Sequence, residues 1–144
     1  MAPTNSNHQQ AMGLDVGTQR IGVAVAHLSA RFPRPLTTLS RPESFIDDIL
    51  NLCHDEDIGM IVLGRPRSLE GQSTAQTELV ANFADRLAAQ LAFAGRDIPL
   101  YWIDEALTST KAEAELESRG KPYQKADIDA LAATYILDDY LQTM

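Results

Sequence analysis

The chain has little of what would hold it in a membrane or cross-link it. It has 144 residues, one cysteine and one tryptophan, and aromatics make up 6%. A single cysteine, Cys53, rules out an intrachain disulfide, and no Cys/His cluster has zinc-site spacing. A reducing, cytoplasmic setting is expected. Apolar runs are only a few residues long, too short to span a bilayer. The N-terminus, MAPTNSNHQQ, has no apolar stretch of the kind a secretory signal needs. Net charge is also scarce on the positive side: 12 Lys and Arg against 20 Asp and Glu give −8. Taken alone, that sum argues against a strongly phosphate-bound protein.

What is present changes that reading. The basic residues are gathered where acids are missing. No Asp or Glu occurs from Val16 to Pro42, which holds Arg20, Arg31, Arg34 and Arg41. None occurs from Ile58 to Leu69, which holds Arg65 and Arg67. From Ser118 to Ala126 the only charges are Arg119, Lys121 and Lys125. Local patches, not the sum, determine which partners bind.

The length and the 44% hydrophobic fraction fit one globular domain over residues 1–144, with 1–10 expected as a flexible tail. Met12 to Asp15 reads as the end of a first strand, broken by Gly17. Ile21 to Ala26 reads as a second, and Leu36 to Ser40 as a third after a loop punctuated by Pro33 and Pro35. A helix follows Pro42, with Phe45, Ile49 and Cys53 at helical spacing. Ile58–Gly64 is a buried strand. Ser73 and Gln76 are spaced as a capping box ahead of a helix whose face is Val80, Phe83, Leu87 and Leu91. Ile98 to Ile103 is a fifth strand. Helices over 109–119 and 125–141 complete the chain. This order predicts an α/β layer fold: an antiparallel three-strand meander plus two parallel strands in one mixed five-stranded sheet, flanked by helices.

Four acids stand where solvated acids are uncommon. Asp15 follows an apolar strand, Asp104 and Glu105 follow another, and Asp129 shares a helical face with Ala132, Ala133 and Ile136. Asp127 groups instead with Thr134 and Asp138. Each acid has a plain alternative: Asp15 as a turn cap through Thr18, Asp104 as a helix cap, Asp129 as a partner of Arg20 or Lys125. Together, carboxylates at strand ends without a histidine pair point to a hard, oxygen-preferring cation such as Mg²⁺ or Mn²⁺. Cys53 and Trp102 read as core, His54 and His8 as solvated. Arg31 and Arg34 read as solubilising surface charge.

Four blocks in order, GLDVGTQRIGVAVA, IVLGRPRSLEG, DEALTSTKAEAEL and DIDALAATYILDDYL, resemble the YqgF/RuvX family of pre-16S rRNA nucleases, also called Holliday junction resolvase-like proteins. The resemblance spans roughly residues 11–141. It implies a ribonuclease H-like fold and metal-dependent phosphodiester cleavage. It implies that Asp15, Glu105 and Asp129 are catalytic and hold two Mg²⁺ or Mn²⁺ ions. Thr18, Arg20, Arg65, Arg67 and Ser68 are the expected substrate contacts. The implied partner is nucleic acid, with precursor ribosomal RNA favoured over branched DNA. The ribosome is a further partner, and the chain is a monomer or homodimer. The implied role is maturation of the 5′ end of 16S rRNA. The alternatives are a DNA junction resolvase or a catalytically degenerate assembly factor. The chain departs from the family pattern at Gln19, His27, Ser68 and Ala106.

Overall fold

A computed structural model describes residues 9–66, 74–105 and 108–144. Five strands are found: β1 (Gln10–Val16), β2 (Ile21–His27), β3 (Arg34–Leu39), β4 (Ile58–Pro66) and β5 (Leu100–Glu105). The helices are α1 (Phe45–Asp55), α2 (Ala75–Phe93), α3 (Thr108–Ser118) and α4 (Lys125–Leu141). The sheet order is β3-β2-β1-β4-β5, with β1–β2 and β2–β3 antiparallel and β1–β4 and β4–β5 parallel. This is the mixed sheet expected from the sequence.

Strand alternation sorts each strand into two faces. On β1, Met12, Leu14 and Val16 join Ile21, Val23 and Val25 of β2 and Ile61 and Leu63 of β4 in one core. Helices α1 and α2 cover it with Phe45, Ile49, Cys53, Val80, Phe83, Leu87 and Leu91. Every position named there as a helical face is buried, and Cys53 is fully enclosed. Burial pushes the Cys53 thiol up to about 11, against a smaller lowering by Arg96, so it stays protonated.

The opposite face carries small residues. Ala11, Ala24, Ala26 and Val62 meet Ala133, Ile136 and Leu137 of α4. Two glycines complete this seat. A Cβ at Gly13 would lie 2.7 Å from the Leu137 Cβ, and one at Gly22 would lie 1.9 Å from the Asp129 carbonyl oxygen. No side chain fits at either position, so α4 rests on bare backbone. Helix α3 packs outside α4 through Ala112, Leu116, Leu131 and Ala132.

Some boundaries differ from the sequence reading. The strand β1 starts at Gln10, whose side chain is buried, so position 10 belongs to the sheet and not to a tail. Pro35 lies within β3, at the sheet edge where a missing N–H costs no ladder bond. Pro42 opens a 3-10 turn, Pro42–Ser44, ahead of α1. The strand β5 begins two residues late because Pro99 cannot donate to the ladder; its carbonyl still accepts from the Ile61 N–H at 3.0 Å. The cap of α2 is Thr74, whose Oγ1 accepts from the Thr77 N–H at 3.1 Å. Ser73 lies outside the described residues, and Gln76 has a different task.

Candidate active site

The hairpin β1–β2 places the first acid. Its turn is closed by the Gly17 N–H donating to the Arg20 carbonyl at 2.9 Å. In the resulting register Asp15 stands opposite Gly22. Asp15 shares strand parity with Ala11 and Gly13, and therefore faces α4. Because Gly22 has no side chain, the α4 backbone at Asp129 comes down directly beside this pair. One glycine thus brings together two acids from opposite ends of the chain.

The two acids line a single cleft of about 390 Å³, with Val16, Gly17, Thr18, Gln19, Arg20, Pro66 and Gln76. The Arg20 Nε donates to Asp129 Oδ2 at 2.5 Å. The Asp129 side chain is 17% exposed, so an uncompensated charge there would be costly and the guanidinium offsets it. The pairing of Asp129 with Arg20, weighed above as its plain alternative, is therefore present, and it lies inside the cleft. Gln76 donates from Nε2 to the Val16 carbonyl at 3.0 Å, tying the first turn of α2 to the end of β1. Gln76 was read from the sequence only as half of a cap; its place in the cleft depends on the path of α2, which no local pattern shows.

Asp127 stands apart. Its Oδ2 accepts the Gln124 N–H at 2.8 Å, the carboxylate closing the start of α4. It lines a separate pocket with Pro35, Arg119, Tyr123 and Leu131. The division of the two acids between helix faces is the one the amphipathic pattern predicts.

Glu105 is the last residue of β5 and is paired in register with Pro66, which lines the cleft. Its backbone therefore lies at the same sheet edge, while its side chain lies outside the described residues. Ala106, Arg67 and Ser68 also lie outside them. Arg65 is not among the residues lining the cleft. It shares parity with Ile61 and Leu63, on the face toward α1 and α2. There its guanidinium lies 5.1 Å from the Trp102 ring centroid and 3.9 Å from Asp104 Oδ1. Trp102 is accordingly half-buried and a platform for a cation, not simply core. Asp104 pairs with Arg65 across the strands. His27 is paired with Gln10, at the far end of β1 from Asp15, so that departure lies away from the cleft. Gln19, by contrast, lines it.

The donor set suits a hard cation. Asp15 and Asp129 offer carboxylate oxygens in one polar cleft, and the position on Asp129 is already held by a positive group, Arg20. Among the described residues no set of three ligating side chains is close enough for a complete site. A third carboxylate would come from the end of β5.

The family model RuvX, described as Holliday junction resolvase, matches residues 9–143. A relative from Chloroflexus aurantiacus is 41% identical over 139 residues, covering 94% of this chain and 88% of its own length; it bears the provisional name pre-16S rRNA nuclease. Among solved structures, Thermus thermophilus RuvC in complex with a Holliday junction aligns with a TM-score of 0.53 at 16% identity, over 94% of this chain and 95% of that one. The yeast mitochondrial Holliday junction resolvase Ydc2 aligns with a TM-score of 0.56 at 12% identity, over 94% and 78%. At those identities the solved structures speak to architecture: the fold is ribonuclease H-like, as in the RuvC-type resolvases. The family match and the relative together show that the chain belongs to the RuvX (YqgF) family of nucleases.

Proposed function

We propose that this chain is a divalent-metal-dependent endonuclease that hydrolyses phosphodiester bonds in precursor ribosomal RNA, maturing the 5′ end of 16S rRNA in the cytoplasm. The observation that carries this is the meeting of Asp15 and Asp129 in one cleft at the sheet edge where β5 delivers Glu105. These three are the proposed ligands of Mg²⁺ or Mn²⁺. When bound, a pair of such ions lowers the pKa of a water and stabilises a leaving oxygen. Among the described residues no helix is long and apolar enough to cross a membrane.

The chain's own groups supply position and charge. Asp15 and Asp129 are held rigidly by the hairpin register and the glycine seat. Thr18 and Gln19, exposed in the turn, offer polar side chains to a backbone phosphate entering the cleft. Arg65, half-exposed beyond the cleft, is proposed to meet phosphates farther along the strand with Arg67 and Ser68. Contacts of this kind are independent of sequence, which fits a cleft with few apolar lining groups for a base.

RNA is favoured over branched DNA because the relative that covers most of this chain is named for pre-16S rRNA. The test is cleavage of a precursor fragment spanning the 5′ end of 16S rRNA and of a four-way DNA junction, each in Mg²⁺, Mn²⁺ and EDTA. RNA cleavage in metal, lost in Asp15→Asn and Asp129→Asn, is the expected result. Preferential cutting of the junction by a dimer would favour the resolvase. Cleavage in EDTA, or an undiminished Asp15→Asn enzyme, overturns the metal assignment. Binding of the precursor without cleavage by wild type would leave an assembly factor.

A further inference from the structure

A short ion pair in the cleft, Arg20 Nε on Asp129 Oδ2 at 2.5 Å, occupies a carboxylate oxygen that a metal ion would also use. We propose that Arg20 is a resident counter-ion of Asp129 that a divalent cation displaces, and that the released guanidinium then receives the substrate phosphodiester. This inference rests on the metal-dependent reading above and adds an order: cation first, strand second.

Three features of the chain support the exchange. The Asp129 backbone is seated directly on Gly22, and α4 is held there by Ala133, Ile136 and Leu137 buried against the sheet. The Arg20 backbone is pinned by the hairpin bond to Gly17, but its side chain is 39% exposed, against 17% for Asp129. The moving partner in any exchange is therefore the guanidinium. Arginine also cannot leave the carboxylate by losing its proton, as a lysine can when buried. It can only be displaced, and it leaves with its charge and its planar fork intact. That fork matches the oxygens of a phosphodiester.

The exchange would also keep the Asp129 charge balanced before and after a cation binds. Before it binds, Arg20 balances Asp129; in the loaded state the cation does. The positive charge that would oppose the cation moves to the anion that follows it. The exchange forms and breaks only ion-pair and hydrogen-bond contacts, with no covalent step.

The experiment compares wild type, Arg20→Gln and Arg20→Lys. Mg²⁺ affinity is measured by calorimetry, thermal melts are run in EDTA and in Mg²⁺, and binding of a cleavage-resistant phosphorothioate RNA is followed by anisotropy in both. Arg20→Gln is expected to bind Mg²⁺ roughly 5-fold tighter, since a unit positive charge has left the ligand. It should melt earlier than wild type in EDTA and show a larger Mg²⁺-induced rise in Tm. Its gain in RNA affinity on adding Mg²⁺ should be smaller than that of wild type. Arg20→Lys should keep the competition with Mg²⁺ but recover only part of the RNA gain. Unchanged or weaker Mg²⁺ binding in Arg20→Gln, with wild type binding normally, overturns the exchange alone. If wild type shows neither Mg²⁺ nor Mn²⁺ binding, the metal-dependent reading falls and the exchange falls with it.

Discussion

The two faces of the sheet are built on opposite principles. Toward α1 and α2, β1 presents Met12, Leu14 and Val16, and the gap is filled by large aliphatic and aromatic side chains. Toward α4, the same strand presents Ala11, Gly13 and Asp15, and the helix meets it with Ala133 and the backbone of Asp129. The first face gains stability from buried area, at roughly 1.5–3 kcal/mol per large side chain. The second gives up part of that area to bring two backbones together. One face of the sheet is filled by large side chains, and the other carries the cleft.

The sharpest way to break this contrast is Gly22→Ala. The added methyl meets the Asp129 carbonyl at 1.9 Å, so the first turns of α4 must lift. Overpacking of this kind costs roughly 1–3 kcal/mol. The loss of nuclease rate in the remaining folded protein should be larger, about 10²-fold, as for a catalytic group displaced by about 1 Å. Gly13→Ala is the control, since its clash is with Ala133 and Leu137, farther along α4. It should lose comparable stability and much less activity. Equal activity losses in the two would show that the seat acts through stability alone.

Next in size is Leu87→Ala on the other face. This side chain is fully buried in α2. Its truncation should cost about 2–5 kcal/mol in denaturant unfolding. Activity per folded molecule, and affinity for Mg²⁺, should stay close to wild type. A change in Mg²⁺ affinity would show that the two faces are coupled.

A smaller effect is expected at Asp127. Asp127→Asn keeps an acceptor for the Gln124 N–H and removes a charge from the start of α4. Its cost should be about 0.3–1 kcal/mol in Tm-derived stability, with cleavage unchanged. Loss of cleavage comparable to Asp129→Asn would reverse the assignment of the two acids.

The smallest effect lies on the outside of α4, where Tyr135 donates to Glu115 and Arg119 pairs with the same carboxylate. The Tyr135 hydrogen bond, with Arg119 assisting against desolvation, holds Glu115 below the ordinary carboxylate range. A lowered folded pKa gives stability that is present above the unfolded value and lost as pH falls through the folded one. Melts taken from about pH 6 down to about pH 3 should show a shallower acid-side decline in Tyr135→Phe than in wild type. Identical slopes would mean the hydrogen bond has no stabilising role in solution.

The contrast also explains what could be read from residues alone. The bounds of α4, the buried face of α2 and the choice of Asp129 over Asp127 all follow from 3.6-residue periodicity, a local property. The order of strands follows from short apolar runs and their turns. The placement of Arg65 was also open to period-2 counting from Ile61 and Leu63, which puts it on the face away from Asp15. Its stacking on Trp102 and pairing with Asp104, however, depend on the β4–β5 register. Gln76 and Gly22 were illegible for the same reason. Their roles are set by which element lies across from them, and nothing in their own neighbourhoods states that.

The Arg20–Asp129 contact joins residues 109 positions apart, and the later one belongs to the last helix in chain order. Synthesis proceeds from the N-terminus at about 5–20 residues per second. The hairpin with Asp15 and Arg20 therefore leaves the ribosome seconds before α4 can dock on Gly13 and Gly22. Until then the hairpin lacks its second carboxylate, and the glycine seat faces water. The proposed pair of carboxylates is thus completed only after the 109 positions that separate Arg20 from Asp129 have been made.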